Sequence, residues 1–155
     1  LAPAAAQPAD PVVTAAGLNL PEQLCSLPRQ RLDIRPDGLQ ASYGIPGNGT
    51  LQVYVARVTQ PLGDEFVDTE ESIRRLHFDV VLLRELQPPP GAPDALGRLW
   101  RGSLPSGPIV TGLWLWHHAG WRIKLRGTVF AAAADRIWPR MECAARALAS
   151  PSAPA

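Results

Sequence analysis

Lysine is nearly absent from this sequence: Lys124 is the only one among fifteen basic residues, and the formal net charge is +1. Such a balance gives no broad cationic field, so a nucleic-acid partner is not expected. No apolar run reaches the roughly eighteen residues that a membrane-spanning helix needs, so no transmembrane segment is expected. There is no G-x-S-x-G elbow, no H-E-x-x-H, no Walker loop and no dinucleotide-binding fingerprint. No catalytic residue and no cofactor are therefore expected. Cysteine is scarce too, with Cys25 and Cys143 alone, and their spacing matches neither a metal motif nor a C-x-x-C redox pair.

Histidine and acid clusters also fall short of a metal site. His117 and His118 are adjacent, so within a strand they point to opposite faces; with His77 they read as a polar hairpin tip and a helix histidine. Asp64, Glu65, Asp68, Glu70 and Glu71 lack the spacing and the glycine of a calcium loop. A solvated helix start, where negative charge is favoured, is the simpler expectation. No metal is expected.

What is present is apolar enough to fold. The chain has 155 residues, 46% of them hydrophobic and 19% charged, which suits one domain with a substantial core. It opens LAPAAAQPADP, where Ala4 to Ala6 resemble the end of a signal peptide, although truncation within an Ala/Pro linker would look the same. Residues 1–17 are expected to be a disordered Ala/Pro-rich segment, 18–149 a single domain and 150–155 a disordered tail. Export would favour a Cys25–Cys143 disulfide over two buried thiols, and a periplasmic or secreted location.

The chain is organised around the stretch Ile109 to Phe130, which reads as two strands and a tight turn. It holds Trp114, Trp116 and Trp121, His117 and His118, and Lys124. Alternation in its second arm sets Trp121, Ile123, Leu125 and Val129 on one face and Arg122, Lys124 and Arg126 on the other. A three-residue loop, His118-Ala119-Gly120, would pair Leu115 with Ile123 and place Trp114 and Trp116 beside the cations. A four-residue loop from His117 would instead put both tryptophans in the core and Leu113 and Leu115 on the basic face. A two-residue Ala119-Gly120 turn is disfavoured, because it forces Ala119 to positive φ. The three-residue register is the expectation, with the tryptophans left partly wet.

Elsewhere, Leu18 to Pro28 reads as a short helical turn. RQRLDI, LQASYGI and TLQVYVARV read as strands separated by Pro36-Asp37-Gly38 and Pro46-Gly47-Asn48-Gly49. A long helix is expected from a cap at Asp68, with Ile73, Leu76, Val80 and Leu83 as its buried stripe, ending at Gln87. A strand from Ala95 to Leu104 precedes the central hairpin. The last helix follows Phe130, with Ile137, Met141, Ala144 and Leu148 inward and Pro139 starting or kinking it. Gly112 and Gly127, inside strands, mark places where this helix packs closely. The expected fold is α+β: a six-stranded antiparallel sheet in two three-stranded meanders, each followed by a helix, with the helices packed on one face.

VYVARV in the first meander and GWRIKLRGTVF in the last resemble an exported proteobacterial family of unknown function. Its pattern is a hydrophobic strand, a helix, then a "KxR"-type strand before a terminal helix. The layout also resembles the PsbP-like α+β fold. The resemblance covers about twenty residues and implies an exported compartment and a fold, not an activity.

The functional expectation is a non-enzymatic cell-envelope module. Its basic-aromatic face of Trp114, Trp116, Arg122, Lys124 and Arg126 would bind an anionic ligand or an envelope protein. The alternative is a small hydrolase or transferase whose site converges only in three dimensions.

Overall fold

Alternating apolar residues and paired turns generate a single antiparallel sheet. A computed structural model describes residues 10–149. The elements are α1 (Pro11–Ala15), β1 (Gln23–Leu24), β2 (Leu27–Arg35), β3 (Gly38–Ile45), β4 (Gly49–Arg57), α2 (Leu62–Leu76), β5 (Phe78–Glu85), β6 (Leu96–Leu104), β7 (Gly107–His118), β8 (Trp121–Phe130) and α3 (Ala134–Ala149). A 3-10 turn at Ala131–Ala133 leads into α3. The eight strands lie in the order β1-β2-β3-β4-β8-β7-β6-β5, so β4 and β8 join two meanders at the centre.

Among the described residues the six expected strands are therefore eight. The helix expected to run from Asp68 to Gln87 starts at Leu62 and stops at Leu76. Pro61 precedes its first residue, and Asp64 and Glu65 occupy the first turn, where the helix dipole favours negative charge. His77 is extended, and β5 follows with the β-branched pair Val80-Val81. Val80 and Leu83 continue the helical spacing of Ile73 and Leu76, which is why a longer helix fits the pattern. Asp79 at φ 52° accompanies an irregular register against β6, the mark of a bulged edge strand.

The other extra strand, β1, replaces the helical turn expected at Leu18 to Pro28. Cys25 and Ser26 both have positive φ and form a two-residue turn that pairs Leu24 with Leu27. Neither residue carries the usual glycine or asparagine signal for such a turn. The Cys25–Cys143 disulfide is present and ties this turn to α3, with Cα atoms 6.1 Å apart.

The helices do not share one face. α3 and α1 pack on one side, where Val12, Ala16, Leu51, Val53, Ile123, Leu125, Ile137 and Met141 belong to one core. On the opposite side α2 seats Phe66 and Ile73 against Trp100, Leu113 and Leu115. Packing of α1 also corrects the expectation of an unpacked segment through residue 17, since Val12 and Ala16 are buried. Residues 1–9 and 150–155, expected as disordered, lie outside the described residues. Gly112 and Gly127 do mark the close approach of α3: a Cβ at either would meet the Trp138 ring.

The central hairpin takes the disfavoured turn. Ala119 and Gly120 sit at φ 50° and 84°, and the register pairs Trp116 with Ile123 and Trp114 with Leu125. One alanine in the left-handed region costs about 1–2 kcal/mol. Against that, the register gathers Trp114, Trp116, Trp121, Ile123 and Leu125 under α3, where all are buried. A buried tryptophan removes roughly 150–250 Å² from water, a gain of several kcal/mol at about 25 cal/mol per Å². Packing decides the turn.

Candidate functional site: a groove between α2 and the open sheet

Period-2 alternation in β8 turns Arg122, Lys124 and Arg126 toward α2. The registers place Arg122 between Ala56 and His117, Lys124 between Tyr54 and Leu115, and Arg126 between Gln52 and Leu113. Because α2 covers the β7 side only, the sheet beyond it stays open. The groove so formed has Lys124 and Arg126 on its floor and Gln60, Asp68, Ser72 and Leu76 along the α2 wall.

The three cations differ in their partners. Arg122 donates to Glu65 Oε1, and His117 Nε2 lies 3.5 Å from Glu65 Oε2. Glu65 comes from the first turn of α2 and its side chain is 4% exposed, so its charge is spent on Arg122. Among the described residues neither Lys124 nor Arg126 has a carboxylate within ion-pair distance. Lys124 Nζ lies 5.0 Å above the Tyr54 ring, whose hydroxyl is hydrogen-bonded to Gln52 Oε1. Burial holds Lys124 below the usual lysine value, reinforced by the charges of Arg122 and Arg126 and opposed by Glu65. Burial likewise lowers Arg126, with Tyr54 opposing.

Beneath the last turn of α2, hydrogen-bonding capacity is left over. Arg126 donates to Thr111 Oγ1 at 3.3 Å, and Thr111 Oγ1 lies 3.3 Å from Thr128 Oγ1. Arg126 Nε, both ring nitrogens of His77 and Trp100 Nε1 are buried with no partner among the described residues. Burial lowers the His77 pKa, and the Arg126 charge lowers it further. Buried groups of this kind are normally satisfied; of these residues Arg126 lines the groove, where a donor left over favours an acceptor-rich guest.

The tryptophans expected to join the cations are on the other side of the sheet. Trp114 stacks on Trp138 with ring centroids 5.6 Å apart and donates through Nε1 to the Gln87 carbonyl. Trp116 is 5% exposed within the α3-side core. The aromatic partner of the basic strand is Tyr54 instead. Period-2 alternation in TLQVYVARV does set Gln52, Tyr54 and Ala56 on the face opposite Leu51, Val53 and Val55. What it lacked was the β4–β8 pairing that sets those residues beside Lys124 and Arg126. Glu65 and His77 were also missed, one as part of a solvated acidic run and the other as a helix histidine. His118 is remote from the groove, packing where a Cβ on Gly17 would stand.

No protein-family model matches the chain, and a search of curated proteins finds no match.

Proposed function

We propose that the protein is a non-enzymatic module of the cell envelope, periplasmic or secreted, that holds an anionic ligand in the groove beside α2. The observation carrying this reading is the pair Lys124 and Arg126, two partly buried cations with no carboxylate within ion-pair distance among the described residues. Burying unpaired charge is costly, so a site that keeps two of them together is stabilised when an anion arrives. The disulfide, the lack of any helix long and apolar enough to cross a membrane among the described residues, and the resemblance to exported proteins support the compartment.

The test is a titration with inorganic phosphate followed by backbone and side-chain NMR. Shifts should concentrate at Lys124, Arg126 and His77, and weaken as sodium chloride is raised, because partly exposed charges are screened. Lys124→Ala with Arg126→Ala should abolish the shifts while the melting temperature changes little. Unchanged phosphate shifts in that double variant would overturn the reading.

A further inference from the structure

We infer that the groove's ligand is an acidic saccharide: a short sugar chain with one carboxylate, the acid at the α2 end and the hydroxyls across the open sheet. This rests on the anion reading above and adds what the rest of the floor recognises. Past Lys124 and Arg126 the surface continues over β4, β3 and β2. Register sets Lys124 beside Tyr54, Tyr54 beside Gln40 and Gln40 beside Asp33. The next row runs Arg126, Gln52, Ser42 and Arg31. Neither row contains an aliphatic side chain. Strands lie about 4.8 Å apart, so four of them span roughly 14 Å, room for a short oligosaccharide.

The chemistry of those rows separates the possible anions. Gln40 and Gln52 are exposed and their amides both donate and accept, as sugar hydroxyls do. A lipid surface would want apolar side chains to insert; the strand rows offer none, and Leu76 on the α2 wall is the one exposed aliphatic residue lining the groove. A polyanion would meet Asp68 on the α2 wall, while at the far end Arg31 and Arg35 are already shared with Asp33. The uncompensated positive charge is confined to Lys124 and Arg126, two residues apart on one strand and so about 7 Å apart. That is the footprint of one acid group followed by neutral hydroxyls.

The experiment measures affinity, by calorimetry, for four probes: a tetrasaccharide of one glucuronic acid on xylotriose, neutral xylotetraose, glucuronic acid alone, and phosphatidylglycerol vesicles. The acidic tetrasaccharide should bind at least about tenfold more tightly than either glucuronic acid or xylotetraose, since each added hydrogen bond is worth about 1 kcal/mol. Gln40→Ala with Gln52→Ala should cost about tenfold for the tetrasaccharide and leave glucuronic acid unaffected. Equal affinity for tetrasaccharide and glucuronic acid would overturn the saccharide inference while the anion site stands. Vesicle binding without tetrasaccharide binding would overturn it too. If neither these acids nor phosphate bind, the anion reading falls with it.

Discussion

The two faces of β8 carry alternate residues of one strand and end in different states. On the α3 side Trp121, Ile123, Leu125 and Val129 are buried to 3% exposure or less, and Trp114 and Trp138 stack over the two glycines. On the α2 side Arg122, Lys124, Arg126 and Thr128 are only partly covered, and among the described residues five buried hydrogen-bonding atoms go unpaired there against one, Trp138 Nε1, on the α3 side. The first face follows the rules of a close-packed interior, where volume decides. The second violates the rule that buried polar groups find partners, and such violations gather where a protein does something other than fold. Stability and binding thus separate by face.

The comparison can be broken first at the covalent tie on the α3 face. The Cys25–Cys143 disulfide closes a loop with a sequence separation of 118. In the chain-entropy model a loop of that length contributes about 5 kcal/mol. Cys143→Ser should lower the melting temperature by roughly 15 °C for a domain of this size, read by circular dichroism. A shift under a few degrees would mean that apolar packing alone holds α3. Next in size is Gly112→Val. The new side chain would occupy the space of the Trp138 ring, and overpacking of this kind costs about 1–3 kcal/mol or more. It should destabilise more than Gly127→Val, whose Cβ meets the same ring at 3.0 Å. The reverse order would show that Trp138 leans the other way in solution.

On the α2 face the sharpest test of structure against binding is Glu65→Gln. It leaves Arg122 without its carboxylate. Removing one partner of a buried pair costs about 3–5 kcal/mol, and partial exposure of Arg122 reduces that to roughly 2 kcal/mol. Thermal melts should register the loss. Phosphate binding at Lys124 and Arg126 should be retained or strengthened, because a nearby negative charge has gone. Loss of binding with stability unchanged would place Glu65 in recognition rather than in holding α2 to the sheet.

Much of the α3 face was legible in the sequence, and the reason is local. Period-2 alternation in TLQVYVARV and WRIKL, and the 3.6 period of Ile137, Met141, Ala144 and Leu148, each report burial without knowledge of neighbours. The glycines within strands pointed to the contact with α3. What local pattern could not give was the choice between faces. Ala119 adopts positive φ against its own preference because the tryptophans gain more from α3 than the turn loses. A rule about turns cannot see that gain. Likewise β5 carries a spacing that fits a helix as well as a strand, and only its pairing with β6 separates them. The cations Arg122, Lys124 and Arg126 were identified; their neighbours Glu65, Tyr54 and His77 come from elements far away in sequence. With the register as observed, all five tryptophans are at most 5% exposed and should resist acrylamide quenching. The anion-site reading accordingly rests on unpaired cations and not on wet aromatic rings.

The smallest expected effect is also the one that reports on the Arg126 end of the groove, through its charge. His77 has both ring nitrogens unpartnered among the described residues, and burial with the neighbouring Arg126 charge depresses its pKa. A depressed pKa means that near pH 6.5 the unfolded chain binds more protons at this site than the folded one. Its neutral form therefore contributes stability above about pH 6.5, and that contribution fades as pH falls from there through the folded value. The ring is only partly buried, so the slope should amount to less than about 1 kcal/mol. His77→Gln should remove it. The ring-proton NMR titration of His77 in the free protein should have its midpoint below the ordinary value for histidine. An anion lodged between Lys124 and Arg126 would offset the Arg126 charge and favour the imidazolium, so saturating phosphate should move that midpoint upward. Phosphate binding that left the midpoint in place would put the anion away from the end of α2, on the open sheet alone.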